Sequence, residues 1–381
     1  MNVHVRELAR ALTGRGVTVD VFTREHDYQC DEAGVDGANY VHVPAGPPDA
    51  ALPDLANYLD DFVAGVRAYQ KRNDVQYIAI HSHYWLSGWA GTRLAAASGT
   101  PHVVTFHTLS RIKMQSRSGE QEPPVRQATE ERIIGEADCV VAFSPHERDA
   151  MVRLYAADRR RVELIPCGVD LGRFQPIGRT AARRELGLNG HKVLLFVGRI
   201  EALKGVDLLL HTAASLESEE GLQVLVVGSD ADGSGEMERL HRLSDELRLG
   251  DTVEFVGRVP QEQLALYYSA ADVCIVPSFY ESFGLAALES MACGTPVVAS
   301  RVGGLSTIVQ HGRTGYLKSW RCPEAFAQSL EMIMANEDLR DSMGRAARTR
   351  AEDLSWDQVA GRLLALYDRL GSAGLDQDTA R

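Results

Sequence analysis

The sequence predicts an α/β protein built from two doubly wound, Rossmann-like domains that face each other across a cleft. Three observations predict it. Apolar, β-branched runs alternate with segments of helical period from end to end, as strand–helix repeats in a parallel sheet require. Several runs, such as Val193–Val197 and Leu222–Val227, are continuously apolar, which suits strands covered on both faces. The length, 381 residues of which 45% are hydrophobic, gives each of two domains enough residues for its own core.

The chain opens with a helical period over Val3–Leu12, followed by a strand at Val17–Thr23 and a helix at Leu55–Tyr69. Strands follow at Tyr77–His81, His102–Phe106, Cys139–Phe143 and Val162–Ile165. A stretch rich in Gly, Pro and Arg from Ile165 to Gly178 reads as a linker, so the first domain is predicted over 1–170. The second, over 171–354, carries strands at Val193–Val197, Gln223–Val227, Val253–Val256, Val273–Val276 and Pro296–Ala299, with helices at Val206–Ser215 and Gly235–Leu247. Residues 355–381 hold an amphipathic helix over Val359–Leu370, expected to pack back on the first domain, and a small polar tail from Gly371 expected to fray. One feature breaks the pattern. A doubly wound domain opens with a strand, and losing that central strand would leave a gap in the sheet. Here a helix comes first.

Composition excludes several classes. With 40 Lys and Arg against 52 Asp and Glu, net charge −12, the chain lacks the basic surplus of a nucleic-acid binder. No apolar run approaches the ~20 residues of a membrane span. Met1–Glu7 lacks the basic start and apolar stretch of a secretory signal. Six scattered cysteines without C-x-x-C spacing read as reduced, and the predicted compartment is cytoplasmic.

Three stretches carry chemistry. In the first, the strand ending at Pro277 leads into a loop with Glu281, and a helix is predicted to start near Ser282–Phe283. The N–H groups of Phe283, Gly284 and Leu285 would then be its unpaired first donors, suited to phosphate or sugar oxygens. Glu289 lies close to two helical turns beyond the loop, and two carboxylates on one wall suit sugar and ribose hydroxyls. Alternatively, Glu281 is a helix-start acid and Glu289 a solvated face residue. In the second stretch, Gly198-Arg199 to Lys204-Gly205 sits between a strand and a helix, where an α/β fold presents its ligand loop. Arg199 can grip phosphate with a planar fork and Lys204 can add a point charge; a pair of solvated cations is the plain alternative. No G-x-x-x-x-G-K-[ST] is present. In the third, His81-Ser-His83-Tyr84 and Thr105-Phe-His107-Thr108 lie at strand ends, with Arg126, Glu130 and Arg132 on a following helix. A zinc reading of His81, His83 and His107 is disfavoured, because no acidic or Cys ligand is spaced to complete it, and no metal is expected.

Glu281-x7-Glu289 with Ser-Phe-Gly, Gly198-Arg199 to Lys204-Gly205, Ile165-Pro-Cys-Gly-Val-Asp170 and Gly294-Thr-Pro296 together resemble glycosyltransferase family 4, retaining enzymes of GT-B fold. The resemblance spans essentially the whole chain. Met1-Asn2-Val3, the His81–Gly88 stretch and Thr105–Leu109 are most similar to the D-inositol 3-phosphate glycosyltransferases, whose relatives include the sucrose-phosphate synthase-like enzymes. The resemblance implies that Arg199 and Lys204 hold a donor diphosphate, and that Glu281 and the amides of Phe283, Gly284 and Leu285 meet the donor sugar. It places Glu289 on the ribose and the backbone around Arg258 on the base. Asn2, Tyr84, Thr108 and Arg126 match acceptor positions, and His107 matches a histidine beside the reaction centre.

The expected partners are a nucleotide-sugar donor, a UDP-sugar first, and a small hydroxyl-bearing acceptor, phosphorylated in the inositol-phosphate members. The expected reaction is transfer of a hexosyl or N-acetylhexosaminyl group. No cofactor is required and a divalent metal is not obligatory; a homodimer stays open. Sucrose-phosphate synthase-like transfer to a sugar phosphate, a GT-B nucleotide-sugar epimerase and a non-catalytic nucleotide-sugar binder are the alternatives. Two departures stand out. Pro48–Pro53 lacks the family's acceptor-side lysine, and the family's first strand and glycine-rich loop have no counterpart before Val3. A strand of about 5–6 residues and its loop would add at least ~10 positions upstream, so an earlier start of the reading frame or a truncated chain is expected, the alternative being a sheet closed differently.

Overall fold

A computed structural model describes residues 2–25, 37–116, 121–188, 192–216, 221–230, 235–319 and 321–378. The chain divides into two units, Met1–Gly168 with Trp356–Arg381, and Val169–Ser355.

The first unit begins with α1 (Asn2–Thr13), whose His4, Leu8 and Leu12 recur every four residues on one buried face. Then come β1 (Asp20–Arg24), β2 (Asn39–Val43), α2 (Leu59–Asn73), β3 (Ile80–His83), α3 (Trp85–Ser98), β4 (His102–Thr105), α4 (Ser110–Ser116), α5 (Pro124–Glu136), β5 (Cys139–Ala142), α6 (Pro145–Tyr155) and β6 (Val162–Leu164). Strands β3, β4, β5 and β6 form one parallel sheet, whose inner strands β4 and β5 are buried throughout. Strands β1 and β2 pair in parallel as a separate sheet. Among the described residues no ladder joins the two sheets. They meet instead through an apolar cluster of Phe22, Val41, Val43, Phe62, Val66, Ile80 and Leu94, and through the Tyr77 hydroxyl, which donates to Asp20.

The second unit runs through α7 (Arg179–Glu185), β7 (Lys192–Val197), α8 (Val206–Ser215), β8 (Leu222–Val227), α9 (Glu236–Glu246), β9 (Val253–Gly257), α10 (Leu264–Ala270), β10 (Val273–Val276), α11 (Leu285–Ala292), β11 (Val297–Ser300), α12 (Leu305–Ile308), β12 (Gly315–Lys318), α13 (Pro323–Ala335) and α14 (Glu337–Glu352). Its six strands are all parallel, in the order β12-β11-β10-β7-β8-β9. Numbered within the unit this is 6-5-4-1-2-3, the doubly wound order whose switch point lies between β7 and β10. The core fills one face with Leu194, Phe196, Leu209, Val226, Ile275 and Phe326.

Helix α15 (Trp356–Asp378) returns the chain to the first unit, where it packs on α1. Gly168 makes the return close: a Cβ there would sit 2.5–2.8 Å from Trp356, including its Cα.

Several boundaries differ from the sequence reading. The helix expected over Leu55–Tyr69 splits into a 3₁₀ stretch, Leu52–Tyr58, and α2. The tail expected to fray from Gly371 continues as helix to Asp378. Strands β2 and β12, both at sheet edges, were not anticipated.

Candidate active site

In the second unit, candidate residues gather where the switch-point strands end. After β7 the chain turns through Gly198 and a 3₁₀ stretch, Ala202–Lys204, to Gly205, which opens α8 at φ +71°. A Cβ at Gly205 would lie 2.3 Å from the Pro277 carbonyl oxygen, so only glycine lets this loop lie against the end of β10. The Phe279 N–H donates to the Leu203 carbonyl at 2.8 Å, tying the two loops together. Lys204 Nζ consequently donates to Glu281 Oε2 at 2.7 Å, with both side chains mostly buried, 20% and 17% exposed.

The Glu281 loop is held from its other side. The Gly304 N–H donates to the Glu281 carbonyl at 3.0 Å, and a Cβ at Gly303 (φ +45°) would fall 1.9 Å from the same oxygen. Arg321 reinforces the loop. Its Nη1 donates to the Pro277 carbonyl at 2.6 Å and its guanidinium lies 3.2 Å from the Phe279 ring centroid. The sequence reading missed Arg321, since nothing near it in the chain marks a site.

The helix expected from Ser282–Phe283 starts two residues later. Gly284 takes the cap position at φ +104°, a conformation that costs an L-residue, and α11 begins at Leu285. The helix's first unpaired N–H groups therefore start at Leu285 rather than Phe283. The Phe283 side chain is buried, and a Cβ at Gly304 would press to 2.4 Å from its Cα.

Glu289 is not a bare face residue. Its Oε2 accepts from the hydroxyl of the fully buried Tyr268 at 2.8 Å. Burial pushes its carboxyl up to about 7, against the opposing pull of the Tyr268 hydroxyl and Arg173. Arg199 is exposed, 78%, and pairs with Glu201 at 3.0 Å. Arg258 is exposed just beyond β9.

In the first unit the strand ends β3 and β4 carry two non-glycine residues at positive φ, Tyr84 (+80°) and His107 (+62°). The Thr108 N–H donates back to the Phe106 carbonyl at 2.7 Å, a three-residue turn with His107 at its strained centre. Arg126, buried, draws Tyr84 and Thr108 together: its Nη2 donates to the Thr108 carbonyl at 2.9 Å and Oγ1 at 3.1 Å. Its guanidinium lies 5.0 Å from the Tyr84 ring centroid. Glu122 (2.8 Å) and Glu130 (2.7 Å) offset its charge, and Glu130 also accepts from the Ser110 and Tyr155 hydroxyls. Arg132 instead pairs with Glu136 on an exposed face. Asn2 is exposed at the first position of α1.

His107 sits in a histidine cluster. His83 Nδ1 lies 3.0 Å from His107 Nε2, and the His4 ring packs edge-on to His107 with centroids 4.8 Å apart. His81 stacks on His83, but both its nitrogens are engaged, by the Tyr367 hydroxyl at 2.6 Å and Thr105 Oγ1 at 2.8 Å. Burial pulls His83 down to about 4, and holds His4, His81 and His107 well below the usual imidazole range, with the neighbouring rings adding to it. All four are neutral near pH 7.

Comparison with known proteins adds an independent line. The family model described as Glycosyltransferase Family 4 matches residues 1–173, and the one described as Glycosyl transferases group 1 matches residues 178–350. The D-inositol 3-phosphate glycosyltransferase of Corynebacterium jeikeium is 38% identical, over 98% of this chain and 92% of its own. That of Actinosynnema mirum is 42% identical, over 96% and 91%. The sucrose-phosphate synthase of Thermosynechococcus elongatus superposes with a TM-score of 0.88 at 36% identity, covering 98% of this chain and 94% of that one. Anabaena HepE in complex with UDP and glucose shares the fold at 19% identity, with a TM-score of 0.77 and coverage of 96% and 95%. Among the described residues no helix is long and apolar enough to cross a membrane.

Proposed function

The chain belongs to glycosyltransferase family 4, a glycosyltransferase of GT-B fold, and we propose that it moves a hexosyl or N-acetylhexosaminyl group from a UDP-sugar to a hydroxyl of a small phosphorylated acceptor, with retention at the anomeric carbon. The observation that carries this reading is the Lys204–Glu281 pair at the carboxyl ends of β7 and β10. A cation and a carboxylate held side by side suit the two ends of a nucleotide sugar. Lys204 has three N–H donors and Glu281 two acceptor oxygens, so each keeps capacity for a ligand beyond their mutual bond.

As the glycosidic bond breaks, negative charge grows on the departing diphosphate and the sugar turns oxocarbenium-like. Lys204, the start of α11 and Arg199 swung in from solvent stabilise that charge more in the transition state than before it. Glu281 takes a sugar hydroxyl, and ionised Glu289 accepts from the ribose. These protein cations do the work that a divalent ion does elsewhere, so no cofactor is invoked. On the acceptor side Arg126 holds Tyr84 and Thr108 in place, and neutral His107 accepts or polarises the attacking hydroxyl.

The acceptor's phosphate rests on the relatives' names, D-inositol 3-phosphate glycosyltransferase and sucrose-phosphate synthase. The stretch Pro48–Pro53 has no lysine, which favours keeping a sugar phosphate beside inositol 3-phosphate as acceptor.

A coupled assay of UDP release tests the proposal, with UDP-glucose and UDP-N-acetylglucosamine against inositol and hexose phosphates. Release that requires one of these acceptors supports it. Epimer formation without acceptor would replace it with the isomerase reading. UDP binding with no turnover on any acceptor would reduce the protein to a binder.

A further inference from the structure

We propose that His4, His83 and His107 form a binding site for a divalent transition-metal ion. One potential ligand atom from each lies within 4.8 Å of the others, a triad formed across three elements: α1, β3 and the turn after β4. His83 Nδ1 and His107 Nε2 already stand 3.0 Å apart. Nitrogens bound at about 2.0–2.1 Å in a tetrahedral site stand about 3.4 Å from one another. Three ligand atoms already within 4.8 Å of one another are close to that spacing.

The chemistry of the set fits. Each neutral imidazole offers one ring-nitrogen lone pair. Three neutral nitrogens with an open fourth position suit zinc, cobalt, nickel or copper rather than magnesium or calcium, which prefer oxygen. The surroundings fit as well. Cys167 Sγ lies 3.2 Å from His4 Nδ1 and fixes that ring, as the partner behind a metal-bound histidine does. The rings of Phe143 and Trp356 pack on His4 from its other sides, centroids 5.5 and 4.9 Å away. His81 takes no part as a ligand, because Tyr367 and Thr105 hold both its nitrogens. The sequence argued against zinc for want of a further ligand near the three histidines of the strand ends. The fold instead brings a histidine from the first helix, His4, to His83 and His107. Metal binding needs no donor or acceptor, so its test is separate from the transfer assay; an ion and an acceptor hydroxyl on the same His107 ring nitrogen exclude each other.

The test is a titration of the full chain, stripped by chelator, with cobalt(II) alone. One ion per chain, with the visible bands of four- or five-coordinate cobalt, is expected; their absence overturns the site. His83→Phe and His4→Phe abolish those bands, and Cys167→Ser weakens binding about 10-fold. Bands that survive both phenylalanine variants overturn it. Should either variant fail to fold, histidine ring ¹⁵N shifts of the wild-type protein with added zinc decide the matter. Shifts are expected at His4, His83 and His107, with His81 unmoved; shifts confined to other histidines overturn the assignment.

Discussion

Glu289 shows how far a neighbourhood can move one group. Burial raises its carboxyl from the ordinary 4.5 to about 7. Between those values the folded protein holds a proton that the unfolded chain has released. Its contribution to stability is therefore complete below about pH 4.5 and is lost as the pH rises through 7. Glu289→Gln removes that dependence. Thermal melts of the two proteins are expected to differ by a margin that shifts in the variant's favour between pH 5 and 8; a constant margin would count against the raised carboxyl. UDP affinity of the wild type tightens over the same range as the carboxylate forms, and that of the variant stays flat. Glu281→Gln, by contrast, leaves the fold intact and erodes the preference between UDP-glucose and UDP-N-acetylglucosamine, which steady-state kinetics with both donors reads directly. Residues such as Lys204 and Glu281 were legible in the sequence because each lies in a short motif with glycines beside it. His4, Cys167, Tyr268 and Arg321 were not, since each acquires its meaning from a distant partner. His4 and Cys167 are separated by 163 positions.

At the scale of elements, the loops after β7 and β10 are set by glycines that permit backbone approach. Gly303→Ala places a Cβ 1.9 Å from the Glu281 carbonyl at a φ of +45°. The expected cost is about 2 kcal/mol, in the range for strained backbone, read as a lower denaturation midpoint. Donor KM rises with it. A variant with wild-type midpoint and KM would show that the Glu281 loop is not pinned there. The interior strands were legible because burial on both faces writes a continuous apolar run. Edge strand β2 is partly exposed, β12 alternates buried and half-buried positions, and both mix polar residues into the run, so their signal fades. The start of α11 was misread because a capping Gly284 and a buried Phe283 look, in sequence, like a helix already under way.

For the molecule as a whole, the doubly wound class followed from alternation alone, and the second unit's strand order realises it in full. The first unit's division into two sheets is a matter of pairing, which composition along the chain only hints at. The central claim is that the second unit's loops hold a nucleotide sugar and stabilise its departing diphosphate. Acceptor-dependent UDP release by Lys204→Ala, measured beside the UDP dissociation constant, tests it most directly. A fall in kcat of about 100-fold, the loss typical of one charge-stabilising donor, is predicted, with a smaller change in UDP affinity and an unchanged melting temperature. Wild-type turnover in that variant would contradict it.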